Sequence, residues 1–186
     1  MLNTKGLTEA TKIAILNANY MAEKLSPYFD ILFREKNGYN AHEFIIDIRP
    51  IKKEFGISEE DIAKRLMDYG YHAPTMSWPV PGTMMIEPTE SESKNELDKF
   101  CNALISIKKE IIDSANSIDT PLKNAPHTAL EIASENWGKS YTREVAAFPT
   151  KHQKEHKYWP PVGRIDNAYG DRNLVCTCPP IDDYKK

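Results

Sequence analysis

The residues best able to move a proton, hold a metal or act as a nucleophile are His42, His72, His127, His152 and His156, with Cys101, Cys176 and Cys178. The densest group is His72-Ala-Pro-Thr-Met-Ser-Trp78. It sets an imidazole, the hydroxyls of Thr75 and Ser77 and an indole in a turn stiffened by proline. Stiff polar turns suit ligand contact because little has to be ordered on binding; the same composition also makes a plain linker. His42-Glu43 precedes a strand-like run, where an imidazole either lines a cleft or closes a hairpin. Arg164-Ile-Asp166-Asn167 reads as an anion binder or as a surface ion pair.

Other patterns carry less. His152 and His156 have the i, i+4 spacing of a zinc pair on a helix, but Lys151, Lys154 and Lys157 crowd them and a zinc site needs further ligands. They read as a solvated charged segment, and no metal is expected. Cys176-Thr-Cys178 lacks the two-residue spacing of redox and zinc pairs. It reads as two small semi-buried residues before Pro179-Pro180, or as redox-sensitive thiols. No glycine-rich phosphate loop opens a helix and no Gly-x-Ser-x-Gly elbow is present.

The elements that must hold these residues follow from periodicity. Leu7, Ala10, Ala14, Ala18, Met21 and Leu25 recur at helical steps, so 7–25 is read as a helix after Gly6, stopped by Ser26-Pro27. Residues 29–34 and 43–49 read as strands, with Asn37-Gly38 as the hairpin signal between them and Pro50 as the end of the second. Phe44, Ile46 and Ile48 share one face, with Ile45, Asp47 and Arg49 on the other. Ser58 caps a short helix over 59–69, whose buried stripe is Ile62, Leu66 and Tyr69 and whose stop is Gly70. A short strand fits Thr83 to Glu87. Thr89 and Glu92 have capping-box spacing before a helix that carries Leu97, Phe100, Leu104, Ile107 and Ile111 to about Ile112. Residues 116–172 read as loops anchored by Trp137, Tyr141, Phe148, Tyr158, Trp159 and Tyr169, with a last short strand over Leu174 to Thr177. This order makes an α+β fold, helices on a small mostly antiparallel sheet, followed by a long irregular extension that needs a surface to pack on.

The chain has 186 residues, a formal net charge of −3 and 40% hydrophobic residues, which suits a soluble globular domain and offers no broad basic field for nucleic acid. No apolar run approaches the roughly 18 residues of a membrane span. Met1 to Gly6 holds neither a secretory h-region nor a presequence. Few, unpaired cysteines point to a reducing compartment. The residues alone thus yield a soluble α+β domain with an extension that wants a partner, and no reaction.

Longer strings resemble a known family. Ile15-Leu-Asn-Ala-Asn-Tyr-Met-Ala22, Ala41-His-Glu-Phe-Ile-Ile-Asp-Ile-Arg-Pro50, Asp68-Tyr-Gly-Tyr-His-Ala-Pro-Thr-Met-Ser-Trp-Pro79 and Gly82-Thr-Met-Met-Ile-Glu-Pro-Thr-Glu-Ser-Glu92 are similar to segments of glycine decarboxylases, the P-proteins of the glycine cleavage system. So are Tyr141-Thr-Arg-Glu-Val-Ala-Ala-Phe-Pro149 and Gly163-Arg-Ile-Asp-Asn-Ala-Tyr-Gly-Asp-Arg-Asn-Leu-Val-Cys-Thr-Cys-Pro-Pro180. The resemblance runs from about Gly6 to Tyr184 and is to the carboxy-terminal portion.

It implies the small carboxy-terminal domain of a fold-type I pyridoxal-phosphate enzyme. Family members decarboxylate glycine on that cofactor and pass the aminomethyl group to the lipoyl arm of the H-protein. The family's cofactor lysine lies in a His-Lys-containing segment upstream of the matched region, so no lysine here takes that role and no catalytic residue is assigned. By position, His72, Thr75 and Ser77 are the expected substrate or cofactor neighbours, with His42 and Arg164 behind them. The expected division is a helix over 1–25 linking to the cofactor-binding domain, an α+β domain over 26–115 and an aromatic-rich extension over 116–186. Expected partners are glycine, the lipoylated H-protein and the remaining P-protein domain or subunit, in a dimer or heterotetramer, with neither nucleic acid nor membrane. The expected location is the cytoplasm of a prokaryote or the mitochondrial matrix of a eukaryote. The isolated chain is expected to be inactive and poorly soluble. The other reading is a non-catalytic domain that binds a partner P-protein chain or the H-protein.

Overall fold

The computed structural model describes residues 3–115, 117–174 and 180–184. Helix α1 spans Thr4–Leu25, and Asn3 starts it by accepting the Gly6 N–H on its side chain. The helix therefore opens three residues ahead of the expected start, because an Asx cap overrides the weak propensity of Gly6. Only its second half is buried, at Ala18, Met21, Ala22 and Leu25. Leu7, Ile13 and Leu16 stand exposed on the first half.

Strands β1 (Asp30–Leu32), β2 (Phe44–Asp47), β3 (Thr75–Met76) and β4 (Thr83–Ile86) form one antiparallel sheet in the order β1-β2-β4-β3. Phe44 pairs with Ile86, Ile45 with Met85 and Ile46 with Met84, while Ile31 pairs with Ile46. Strand side chains alternate. Phe44, Ile46, Met84 and Ile86 accordingly enter the main core, and Ile45 lies outside that cluster although it is buried. β3 was not foreseen: prolines surround it, and its two residues are held as an edge by Thr75 opposite Met85 and Met76 opposite Met84.

β2 ends at Asp47, short of the expected stop at Pro50, because Arg49 already opens α2 (Arg49–Phe55), a helix not foreseen; Pro50 sits in its first turn, where a missing N–H costs nothing. Helix α3 spans Glu59–Asp68 behind a capping box of Ser58 and Asp61. Helix α4 spans Lys94–Asp113 and is capped by Ser93, which accepts the Glu96 N–H. Thr89 and Glu92 make no capping box; the Thr89 hydroxyl pairs with Ser91 instead. α1, α3 and α4 cover one face of the sheet, and their apolar stripes meet the strands at Met21, Leu25, Ile62, Leu66, Leu97, Leu104 and Ile107.

The extension is more helical than the loops expected. It carries α5 (Pro121–Asn124), α6 (Ala129–Ala133), α7 (Arg143–Ala147), α8 (Lys151–Glu155) and α9 (Asn167–Arg172), and then a 3-10 turn over Ile181–Tyr184. Thr120, Thr128, Thr142 and Asp166 each cap one of these single turns through the side chain. Helices this short leave no apolar period to read, so caps and tertiary contacts decide them. Of the last strand expected over 174–177, residues 175–177 lie outside the described residues, as do Cys176 and Cys178.

Candidate functional site

The His72 segment connects α3 to β3 and runs along one end of the sheet. His72 is exposed, with its Nδ1 2.9 Å from the Ala73 carbonyl oxygen. It lines a cavity of about 340 Å³ together with Glu87 at the end of β4. His42, just before β2, places Nε2 3.9 Å from Glu87 Oε1. Glu87 thus stands by His42, because β2 and β4 are neighbouring antiparallel strands, and shares a cavity lining with His72.

Thr75 lies exposed on edge strand β3. Ser77 ends that strand with φ at 54°. Its hydroxyl donates to Glu59 Oε1 at 2.7 Å and accepts the Gly82 N–H at 3.2 Å, and its own N–H donates to the Thr83 carbonyl at 2.8 Å. These bonds lock the hairpin onto the start of α3. Arg164 is remote from this end. It donates to the carbonyls of Ala125 and Leu122 at 2.9 Å each and to Asp61 Oδ1 at 2.8 Å. The structure therefore sets His42 by Glu87, which shares a cavity lining with His72, places Thr75 and Ser77 along the same hairpin, and commits Arg164 to a clamp between α3 and α5.

Two features escaped the sequence reading. Arg49 donates Nε and Nη2 to Asp47 Oδ1 and Oδ2 at 2.8 and 2.7 Å, a bidentate fork in which the Arg49 side chain stays half exposed. The fork holds the Asp47 carboxyl below its ordinary range. The Arg49 stem lies across Gly82, where a Cβ would meet Arg49 Cγ at 2.7 Å.

The second feature is a buried polar seam. Arg65 and Asp68 are wholly buried on α3, and Arg65 donates to Asp68 Oδ2, to both carboxylate oxygens of Glu110 on α4, and to the carbonyls of Val145 and Ala146 on α7. Asp68 also accepts the His127 N–H, and lies 2.8 Å from His127 Nδ1. His127 Nε2 lies 2.9 Å from the Tyr141 hydroxyl, and the Trp137 ring closes the group. Burial pushes the Tyr69 and Tyr141 phenols up, and pulls the Lys157 amine down to about 8. Lys157 Nζ donates to the Asp68 carbonyl at 2.8 Å. The signal available in the sequence was the spacing of Asp61, Arg65 and Asp68, a charged stripe beside the apolar stripe of α3 ahead of an aromatic-rich extension.

Residues 10–127 match the family described as "Glycine dehydrogenase, C-terminal domain". The chain belongs to that family. Over its whole length it is 59% identical to a protein of Vibrio campbellii named "Glycine dehydrogenase (decarboxylating)", 61% identical to one of Pelagibacter ubique and 60% identical to one of Vibrio cholerae, both with that name. The chain spans about 20% of the length of each of these relatives. For a glycine dehydrogenase C-terminal domain, the matched residues hold most of α1, the sheet, α2 to α5 and the His72 segment, and stop at His127, the residue from which the extension is tied back to Asp68.

Pyridoxal phosphate needs an amine free to condense and a cradle for its phosphate. Lys157, the lysine whose amine burial makes least basic, is committed to the Asp68 carbonyl and lies under the Trp159 ring. That is a seam contact in the C-terminal domain, and it does not fit the cofactor. Among the described residues no group of His, Cys, Asp and Glu is arranged to hold a metal, and no helix is long and apolar enough to cross a membrane.

Proposed function

We propose that this chain is the carboxy-terminal part of a glycine dehydrogenase (decarboxylating) of the glycine cleavage system. In this reading the reaction consumes glycine on pyridoxal phosphate and delivers the aminomethyl group to the lipoyl arm of the H-protein. The upstream four fifths of the enzyme, as judged from the relatives' length, supplies the cofactor and its lysine. The observation that carries this is an identity of about 60% in matches that cover the entire chain.

The role of this part is to close over a site built by the rest of the enzyme. His72, Thr75 and Ser77 along the hairpin, with His42 beside Glu87, are the side chains we place nearest substrate or cofactor; Arg164 acts through the clamp it makes on Asp61. The exposed first half of α1 leads into the cofactor-binding portion, residues 26–115 form the closing domain, and the extension packs along α3. The working assembly is a dimer or heterotetramer in the cytoplasm of a bacterium like those of its relatives.

The test has two arms. The chain alone, mixed with pyridoxal phosphate, reduced with borohydride and analysed by mass spectrometry, yields no stoichiometric lysine adduct. Co-expression with the upstream portion of a relative restores exchange of labelled bicarbonate into the glycine carboxyl when lipoylated H-protein is present. A single-site adduct on the chain alone overturns the assignment of the cofactor, and absence of exchange in a stable complex favours a non-catalytic domain that binds a partner P-protein chain or the H-protein.

A further inference from the structure

The cavity beside His72 has walls that suit one kind of ligand. Its floor is apolar: Met21 from α1, Ile86 and Pro88 at the end of β4, and Leu97 and Phe100 from α4. Tyr71 and Phe100 meet edge to face at its side, with ring centroids 5.1 Å apart. Its rim is mainly anionic, carrying Glu87, Glu92 and Glu96 with the His72 imidazole among them. Glu92 has no ion-pair or hydrogen-bond partner among the described residues, Glu87 has only His42 at 3.9 Å, and Glu96 shares Lys99 at 2.7 Å. The Tyr71 hydroxyl has no hydrogen-bond partner either, so its oxygen is open to accept one.

We propose that this cavity binds an alkylammonium group, the amine at the end of an aliphatic stem, whether on a lysine side chain of a polypeptide or on a free aliphatic amine. A volume of about 340 Å³ lies at the small end of ligand pockets, enough for a short stem. The stem removes apolar floor from water, and the ammonium reaches the rim, where two aromatic rings and three carboxylates attract it. Burial, with Glu96 and Glu92 close by, pushes the Tyr71 phenol up to about 12, so the phenol stays neutral beside them. An anion is refused by the same rim. Glycine, with a carboxylate and no stem, is refused by the cavity of this chain alone, although its wall shares His72 and Glu87 with the candidate site above.

Titration calorimetry with the whole chain decides it. The probes are n-butylammonium, Nα-acetyl-lysine amide, n-butanol, butyrate and glycine. The ammonium probes bind about tenfold more tightly than butanol, butyrate and glycine do not bind, and added salt weakens the ammonium probes alone. The double variant Glu92→Gln, Glu96→Gln loses about tenfold in ammonium affinity and leaves butanol unchanged; Glu92→Gln by itself removes no contact of the fold and loses part of it. Tighter binding of the lysine amide than of butylammonium assigns the ligand to a polypeptide, and equal binding to a free amine. Equal affinity for butylammonium and butanol, or a double variant with undiminished ammonium binding, overturns the proposal.

Discussion

Arg65 Nη1 lies 2.9 Å from Asp68 Oδ2 in a pair from which solvent is wholly excluded. The two charges are one turn apart on α3, and between them they hold Glu110 of α4, the carbonyls of α7 and His127. Removing one member strands the other without water. Asp68→Ala or Arg65→Ala therefore destabilises the chain by about 3–5 kcal/mol. Urea unfolding monitored by far-UV circular dichroism measures the loss, and limited proteolysis shows cleavage moving into 117–173, where the extension is released.

Tyr141→Phe tests the outer end of the same chain of bonds. It removes one hydroxyl partner of His127 Nε2 and keeps the ring against Trp137. The expected cost is about 0.5–1.5 kcal/mol, clearly less than for Asp68. Denaturant midpoints of the two variants, compared at one pH, give the ratio.

Gly82→Ala is costly for two separable reasons. The backbone sits at φ +80°, and the added Cβ would meet Arg49 Cγ at 2.7 Å. A loss of about 1–3 kcal/mol is expected from the conformation and the clash together. Arg49→Ala in the same chain relieves the clash and leaves the conformational cost, so the double variant recovers only part of the thermal midpoint.

Acid sensitivity has a definite direction at Asp61. Burial by itself raises this carboxyl, but Lys123, the Ser58 N–H and Arg164 outweigh it, and the net shift is downward from 3.8. A folded-state value below the unfolded one means the stabilisation is complete above pH 3.8 and is lost as pH falls through the folded value. Asp61→Asn is less stable at neutral pH and loses less on acidification. Unfolding free energies at pH 6 and at pH 3 check both signs.

Leu7, Ile13 and Leu16 expose an apolar stretch on the first half of α1. Leu7→Lys with Leu16→Glu raises the concentration at which the chain stays monodisperse in light scattering. The unfolding free energy stays within about 0.5 kcal/mol of the parent, because neither side chain enters the core.

Local chemistry and periodicity were enough to locate α1, β2, α3, β4 and α4, because each carries its own pattern: the stripe of Ile62, Leu66 and Tyr69, the alternation of Phe44 and Ile46, the capping serine at Ser58. The same patterns pointed to the α+β class, and the long strings pointed to the family. The pairing of β4 between β2 and β3 and the shelter of Ile45 needed the tertiary structure, since strand order is set by which apolar faces meet. The extension's single turns, capped by Thr120, Thr128 and Thr142, have too few residues to show a period. Most hidden was the role of Arg65, Asp68 and His127. On sequence they form the polar side of a helix and a histidine in a loop, residues that ordinarily face water. Only the folding of a distant segment over α3 turns them inward, and a charge is buried when its partners arrive from elsewhere in the chain, which no local pattern records.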